Sequence, residues 1–137
     1  MMPQPNGQAL ASFYEQVGRA SQLPTPQHAQ RWAEGVLKTL GLHLDGRTRK
    51  ALAQALPEEL AAALKGVFWL VNLRDPHLSG REFCQQVARR SGHSDSNFAR
   101  LPTLAVFGTV KKMIGADLQQ RVGQALPPEV SQLWQEA

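Results

Sequence analysis

The sequence predicts an all-α fold, a compact bundle of eight helices built from two four-helix repeats related by a pseudo-two-fold axis. Three observations lead there. Gln54-Ala55-Leu56-Pro57-Glu58-Glu59-Leu60 returns seventy positions on as Gln124-Ala125-Leu126-Pro127-Pro128-Glu129-Val130, and the same shift lays residues 12–64 over 82–134 without a gap. Apolar residues recur at helical spacing, with no strand-like alternation and no Asn-Gly or Asp-Gly hairpin between strand-like segments. A single repeat of about fifty residues would hold only a marginal core, which predicts two repeats folded face to face around one interior.

Residues 1–7 hold two prolines and no periodicity, and are expected to be a disordered arm. The remainder, 8–137, reads as one domain, with repeat one at about 8–72 and repeat two at about 79–137. From Gln8, the spacing of Leu10, Phe13, Tyr14 and Val17 gives a first helix ending near Ser21, where Leu23-Pro24 breaks it. Thr25-Pro26 opens the second, because the threonine hydroxyl accepts from an orphan amide and proline suits the first helical turn. That helix carries Ala29, Trp32, Ala33, Val36, Leu37 and Leu40 on one side and stops between Gly41 and Leu44. Asp45 caps a short third helix with Leu52 and Leu56 inward. Pro57 cannot continue it but can begin a fourth, with Glu58 and Glu59 facing the positive helix end.

The fourth helix holds Leu60, Leu64, Val67, Phe68 and Val71 on one stripe, so it is expected to run past Gly66 before the Asn72–Ser79 loop. Ser79-Gly80-Arg81-Glu82 has capping-box spacing and opens helix five, with Phe83 and Val87 at the positions of Phe13 and Val17. Helix six is expected from about Ser96 to Ile114, with a kink or a later start at Pro102, which lies where Trp32 does. Helix seven should cover about Ala116 to Ala125 and bury Leu118, Val122 and Leu126. Helix eight should begin at Pro127 and bury Val130, Leu133 and Trp134.

The segment Thr39-Leu40-Gly41-Leu42-His43-Leu44-Asp45-Gly46, followed by Leu52-Ala53-Gln54-Ala55-Leu56-Pro57-Glu58-Glu59-Leu60, resembles bacterial proteins of domain-of-unknown-function family 2267. There a Leu-rich helix end, a short acidic or glycine turn and an Ala-Gln-Leu-Pro joint occur twice. The likeness covers about residues 10–135. It implies a small all-helical bacterial domain and brings no activity with it. Pro102 and the Lys111-Lys112 pair depart from the family pattern.

Cys84, the single cysteine, excludes an internal disulfide and favours a reducing compartment. The start, Met1 to Gly7, has no cationic segment followed by an apolar run, and the longest apolar stretch, Val67–Val71, is far short of the roughly 20 residues that cross a membrane. A cytoplasmic protein without membrane contact is expected. The net charge of +4 is spread evenly, since residues 1–70 and 71–137 carry the same cationic excess, so it reads first as ordinary surface.

No pattern of catalytic residues stands out. His28, His43, His77 and His93 lack ligand spacing, so no metal is expected, and no cofactor, His43 being the one weak axial-ligand candidate for a haem. Cys84, at the position of Tyr14, reads as a half-buried thiol that no basic partner activates. Phosphate loops and nucleophile elbows are absent. The helix after Pro57 is acidic and then apolar, which does not suit a DNA-recognition helix. The expectation is a non-catalytic interaction or assembly module that binds another protein or itself, with Trp69, off the stripe of helix four, as candidate partner contact. The first alternative is sequence-independent nucleic-acid binding through Arg47, Arg49, Lys50, Arg89, Arg90, Lys111 and Lys112. The second is a small apolar ligand held between the repeats.

Overall fold

Several helices begin where a side chain satisfies a backbone group that a helix end leaves open. The computed structural model describes residues 5–66, 75–93 and 95–137. Its helices are α1 (Pro5–Ser21), α2 (Pro26–Leu42), α3 (Gly46–Ala55), α4 (Glu58–Lys65), α5 (Gly80–Arg90), α6 (Arg100–Met113), α7 (Ala116–Ala125) and α8 (Pro128–Glu136), with a 3-10 turn at Ser96–Phe98. No strand occurs among the described residues. The Thr25 hydroxyl accepts from the His28 amide and Asp45 from the Thr48 amide. Ser79 and Glu82 form a complete capping box. Pro57 and Pro127 stand at the N-caps of α4 and α8 with nearly the same backbone angles, φ −52° and −54° with ψ 149° in both.

Two boundaries differ from the sequence reading, those of α1 and α4, and at α6 the later start rather than the kink is what occurs. α1 begins at Pro5, ahead of the expected Gln8. α6 begins at Arg100 because Asp95 accepts from the Asn97 amide at 2.8 Å, holding the 3-10 turn, and Pro102 then falls in the first helical turn, where its missing N–H leaves no bond unmade. α4 ends at Lys65 with Gly66 as its cap. Val67, Phe68, Trp69 and Val71 lie outside the described residues.

The repeated sequence recurs as repeated local mechanics. Gln22 and Gly92, seventy positions apart, both take the left-handed conformation, with φ 56° and 83°. Each closes its helix in the same way: the Leu23 amide donates to Gly18 O at 3.0 Å, and the His93 amide to Ala88 O at 2.7 Å. Thr39 and Thr109 each return a hydroxyl bond of 2.7 Å to the carbonyl four residues back. Arg49 Nη1 donates to Gly41 O and Leu44 O at 2.8 and 3.3 Å, and Gln119 Nε2 donates to Lys111 O and Ile114 O at 2.9 and 3.3 Å. The donors and both acceptors are again seventy apart.

Pairing between the halves is crossed. α1 packs on α6 and α2 on α5, α2 also meets α6, and α3 meets α7. One cluster of buried side chains draws on both halves, from Phe13, Val17, Leu37 and Leu40 to Phe83, Val106, Phe107 and Trp134. Phe83, Phe107 and Trp134 form a run of rings with centroids 5.7 and 5.3 Å apart. Leu118, expected inside, is partly buried against this cluster.

Candidate interaction groove at the seam

The turn after α1 and the turn after α5 meet at one end of the crossed helices. The turns at Gln22 and Gly92 lead towards α2 and α6, whose first turns line one groove. There Trp32 of α2 stacks on His93, with centroids 4.8 Å apart and planes 20° from parallel. The groove beside this stack has a volume of about 430 Å³. Ser21, Leu23, Pro24, His28 and Trp32 line it from the first half, and His93, Asn97, Phe98, Leu101 and Pro102 from the second. None of these is a carboxylate.

Two of the lining side chains are conspicuous. Phe98 is 66% exposed and Leu101 47%, the large hydrophobic residues that stand open among those described. Leaving such apolar area in water is unfavourable by about 25 cal/mol per Å², so an adjoining exposed pair beside an apolar groove is a feature of contact surfaces. His28 is held in place with its Nδ1 2.6 Å from the Thr25 hydroxyl. Ser21 is 7% exposed, and its hydroxyl has no hydrogen-bond partner among the described residues.

A second groove of about 820 Å³ runs along α1 and shares Leu23 and Pro24 with the first. Tyr14 lines it. Burial, with Glu59 and Glu34 nearby, pushes the Tyr14 hydroxyl up to about 12, so the side chain stays neutral.

The remaining candidates are placed elsewhere. Cys84 is buried beside a polar groove of about 740 Å³ between α5 and α8. Burial raises its thiol, with Thr103 and Arg100 pulling the other way, which disfavours the thiolate. Arg100 is bound to Glu136 through both carboxylate oxygens at 2.6 and 2.8 Å. His43 is buried with Nε2 2.8 Å from Gln86 Oε1. Among the described residues no group of three His, Cys, Asp or Glu is placed to hold a metal ion. No helix among them is long and apolar enough to cross a membrane.

Of the seven basic residues marked in the sequence, three are occupied by the protein's own acceptors. Arg49, 9% exposed, caps the carboxyl end of α2. Lys111 donates to Trp134 O at 2.9 Å and sits 5.7 Å over the Trp134 ring. Arg90 donates to the Thr39 hydroxyl at 3.2 Å, and burial lowers its affinity for the proton. Arg47 and Lys50 are exposed on α3, Arg89 at the end of α5 and Lys112 at the end of α6. Trp69 lies outside the described residues.

The family described as uncharacterized conserved protein (DUF2267) matches residues 11–133, nearly the whole chain. The chain belongs to that family. The match embraces both proline joints and both turns that build the seam, so the groove lies within the DUF2267 domain. No curated protein matches the chain.

The sequence reading passed over Phe98 and Leu101, although the seventy-residue shift contains the signal. It sets Phe98 opposite His28 and Leu101 opposite Arg31, so apolar residues in repeat two occupy positions that are polar in repeat one.

Proposed function

We propose that this protein is a non-catalytic interaction module of the bacterial cytoplasm, and that it engages another protein through the seam groove flanked by Phe98 and Leu101. The exposure of those two side chains carries the reading. Interface hot spots are typically large apolar or aromatic groups set in a partly enclosed patch and ringed by polar residues. Here the polar His28 and Asn97 line the groove together with Trp32 and Pro102. The raised thiol of Cys84 and the engagement of Arg49, Lys111 and Arg90 with internal acceptors favour this reading over covalent chemistry or binding along a basic face.

The test compares the wild-type protein with a Phe98→Ala/Leu101→Ala variant and an Arg47→Ala/Lys50→Ala variant, each used for affinity capture from the native cell alongside a thermal melt. Both pairs are on the surface, so melting temperatures should stay within about 2 °C of wild type. Loss of a co-purifying protein with the first variant only supports the groove. Capture unchanged by the first variant, or nucleic acid lost with the second, refutes it.

A further inference from the structure

We propose that the seam groove is a pH-switched contact, which takes up its protein partner's apolar surface while His28 and His93 are neutral and releases it when they carry protons; this rests on the groove being the contact surface proposed above. The two imidazoles come from opposite halves of the chain, His28 from the first turn of α2 and His93 from the turn after α5, and both line the one groove. His28 is partly buried and His93 is exposed, so protons reach both. Histidine is the side chain whose charge ordinarily changes between about pH 5 and 8. The other lining residues are serine, leucine, proline, tryptophan, asparagine and phenylalanine, none of which ionises in that range. Acidification therefore turns an uncharged groove into one that holds two positive charges.

Each ring is held so that it can take up the charge without the fold giving way. The Thr25 hydroxyl oxygen accepts from the His28 amide at 3.2 Å and lies 2.6 Å from Nδ1. A neutral ring makes that second bond in either direction. In a charged ring Nδ1–H donates, and the hydroxyl oxygen has lone pairs for both donors, so the cap of α2 survives. His93 stacks on Trp32 with centroids 4.8 Å apart, and a cation over an indole face is attracted by the ring quadrupole. Of the charged neighbours, Arg31 of α2, whose Nη1 lies 4.0 Å from where a Cβ on Gly92 would stand, and Arg89 at the end of α5 oppose charge on His93. Asp95 favours it, while accepting from the Asn97 amide. Arg19 is paired with Glu15 and Arg100 with Glu136, so neither pair offers a spare counter-charge. Covering the groove with an apolar partner takes both rings out of water. A charge buried in this way is far costlier than a neutral imidazole, so binding expels the protons. The sign follows from that: a histidine that loses its proton on binding gives an affinity that is complete at alkaline pH and falls, as pH drops, by up to about tenfold per pH unit for each proton released.

The probe is Nile red, an apolar dye that stays uncharged from about pH 5.5 to 8, the range over which histidine titrates. It is titrated by fluorescence with the full chain as wild type, His28→Gln/His93→Gln and Phe98→Ala/Leu101→Ala, with a thermal melt at each pH to show that every variant is folded. Wild type should bind the dye at least about tenfold more weakly at the acid end than at the alkaline end. The histidine variant should bind equally at both, at the alkaline strength of wild type, and Phe98→Ala/Leu101→Ala should not bind at either. Protein captured from the native cell should likewise wash off immobilised wild type in acid and stay on the histidine variant. Wild-type binding that is the same at both pH values, that tightens in acid, or that keeps its pH dependence in the histidine variant overturns the proposal. So does a wild-type protein that takes up no dye at alkaline pH. If any of these occurs while Phe98→Ala/Leu101→Ala still loses its captured protein, the switch is wrong and the groove reading stands. If that variant changes neither capture nor dye binding, both fail.

Discussion

Gln22 is a residue in a conformation its side chain does not favour. At φ 56° the Cβ crowds the following carbonyl, at a cost of about 1–2 kcal/mol that glycine avoids, and Gly92 shows what the same turn looks like without it. Gln22→Gly should therefore stabilise the protein by about 1 kcal/mol and raise the melting temperature by about 3–5 °C in a thermal scan, whereas Gly92→Ala should lose a similar amount. An unchanged or lowered melting temperature for Gln22→Gly would show that the strain is absent. Leu23-Pro24 announces that the helix ends near Ser21, but nothing in the local sequence announces the left-handed turn at Gln22, a conformation that glutamine rarely takes. The companion stop at Gly92 is legible from its glycine. Arg49 teaches the same limit. Its position in the first turn of α3 invites an anion contact, but the chain folds back so that its guanidinium meets the α2 carbonyls, a destination that spacing along one helix does not reveal.

Between elements, the two halves solve the same junction in different ways. A Cβ on Gly41 would sit 1.9 Å from Leu64 O, so the absence of a side chain lets α4 come directly against α2. At the matching positions of repeat two, Lys111 fills the space and donates to Trp134 O. Gly41→Ala adds helix propensity of about 1 kcal/mol yet forces backbone apart, and backbone cannot rotate out of the way as a side chain can. The net effect should be a loss of about 1–3 kcal/mol in urea unfolding. A gain would mean that α2 and α4 are not in such close contact. The proline joints, the Thr25, Asp45 and Ser79 caps and the extent of α7 were readable, because each depends on residues within one turn of each other. The late start of α6 was half readable. Pro102 marks it, but the Asp95 cap that fixes the 3-10 turn is evident only once the turn is seen.

Across the whole molecule, the all-α fold follows from periodicity and the repeat, while the groove does not. Its walls come from turns about seventy residues apart in sequence, and they meet only because α1 lies on α6 and α2 on α5. A surface of this kind exists only while the halves are held together by the interior they share. Phe107 sits within that interior, against Phe83 and Trp134. Its truncation to alanine should cost about 3–5 kcal/mol. The most direct measurement is native-state hydrogen exchange, resolved by segment, on wild type and Phe107→Ala. The account predicts that the slowest amides of α2 and of α6 lose protection together and by the same factor, about a hundredfold or more, because both report one global opening. Protection retained in α2 while it collapses in α6 would contradict it, since the halves would then be separate folding units and the seam no more than a place where they touch.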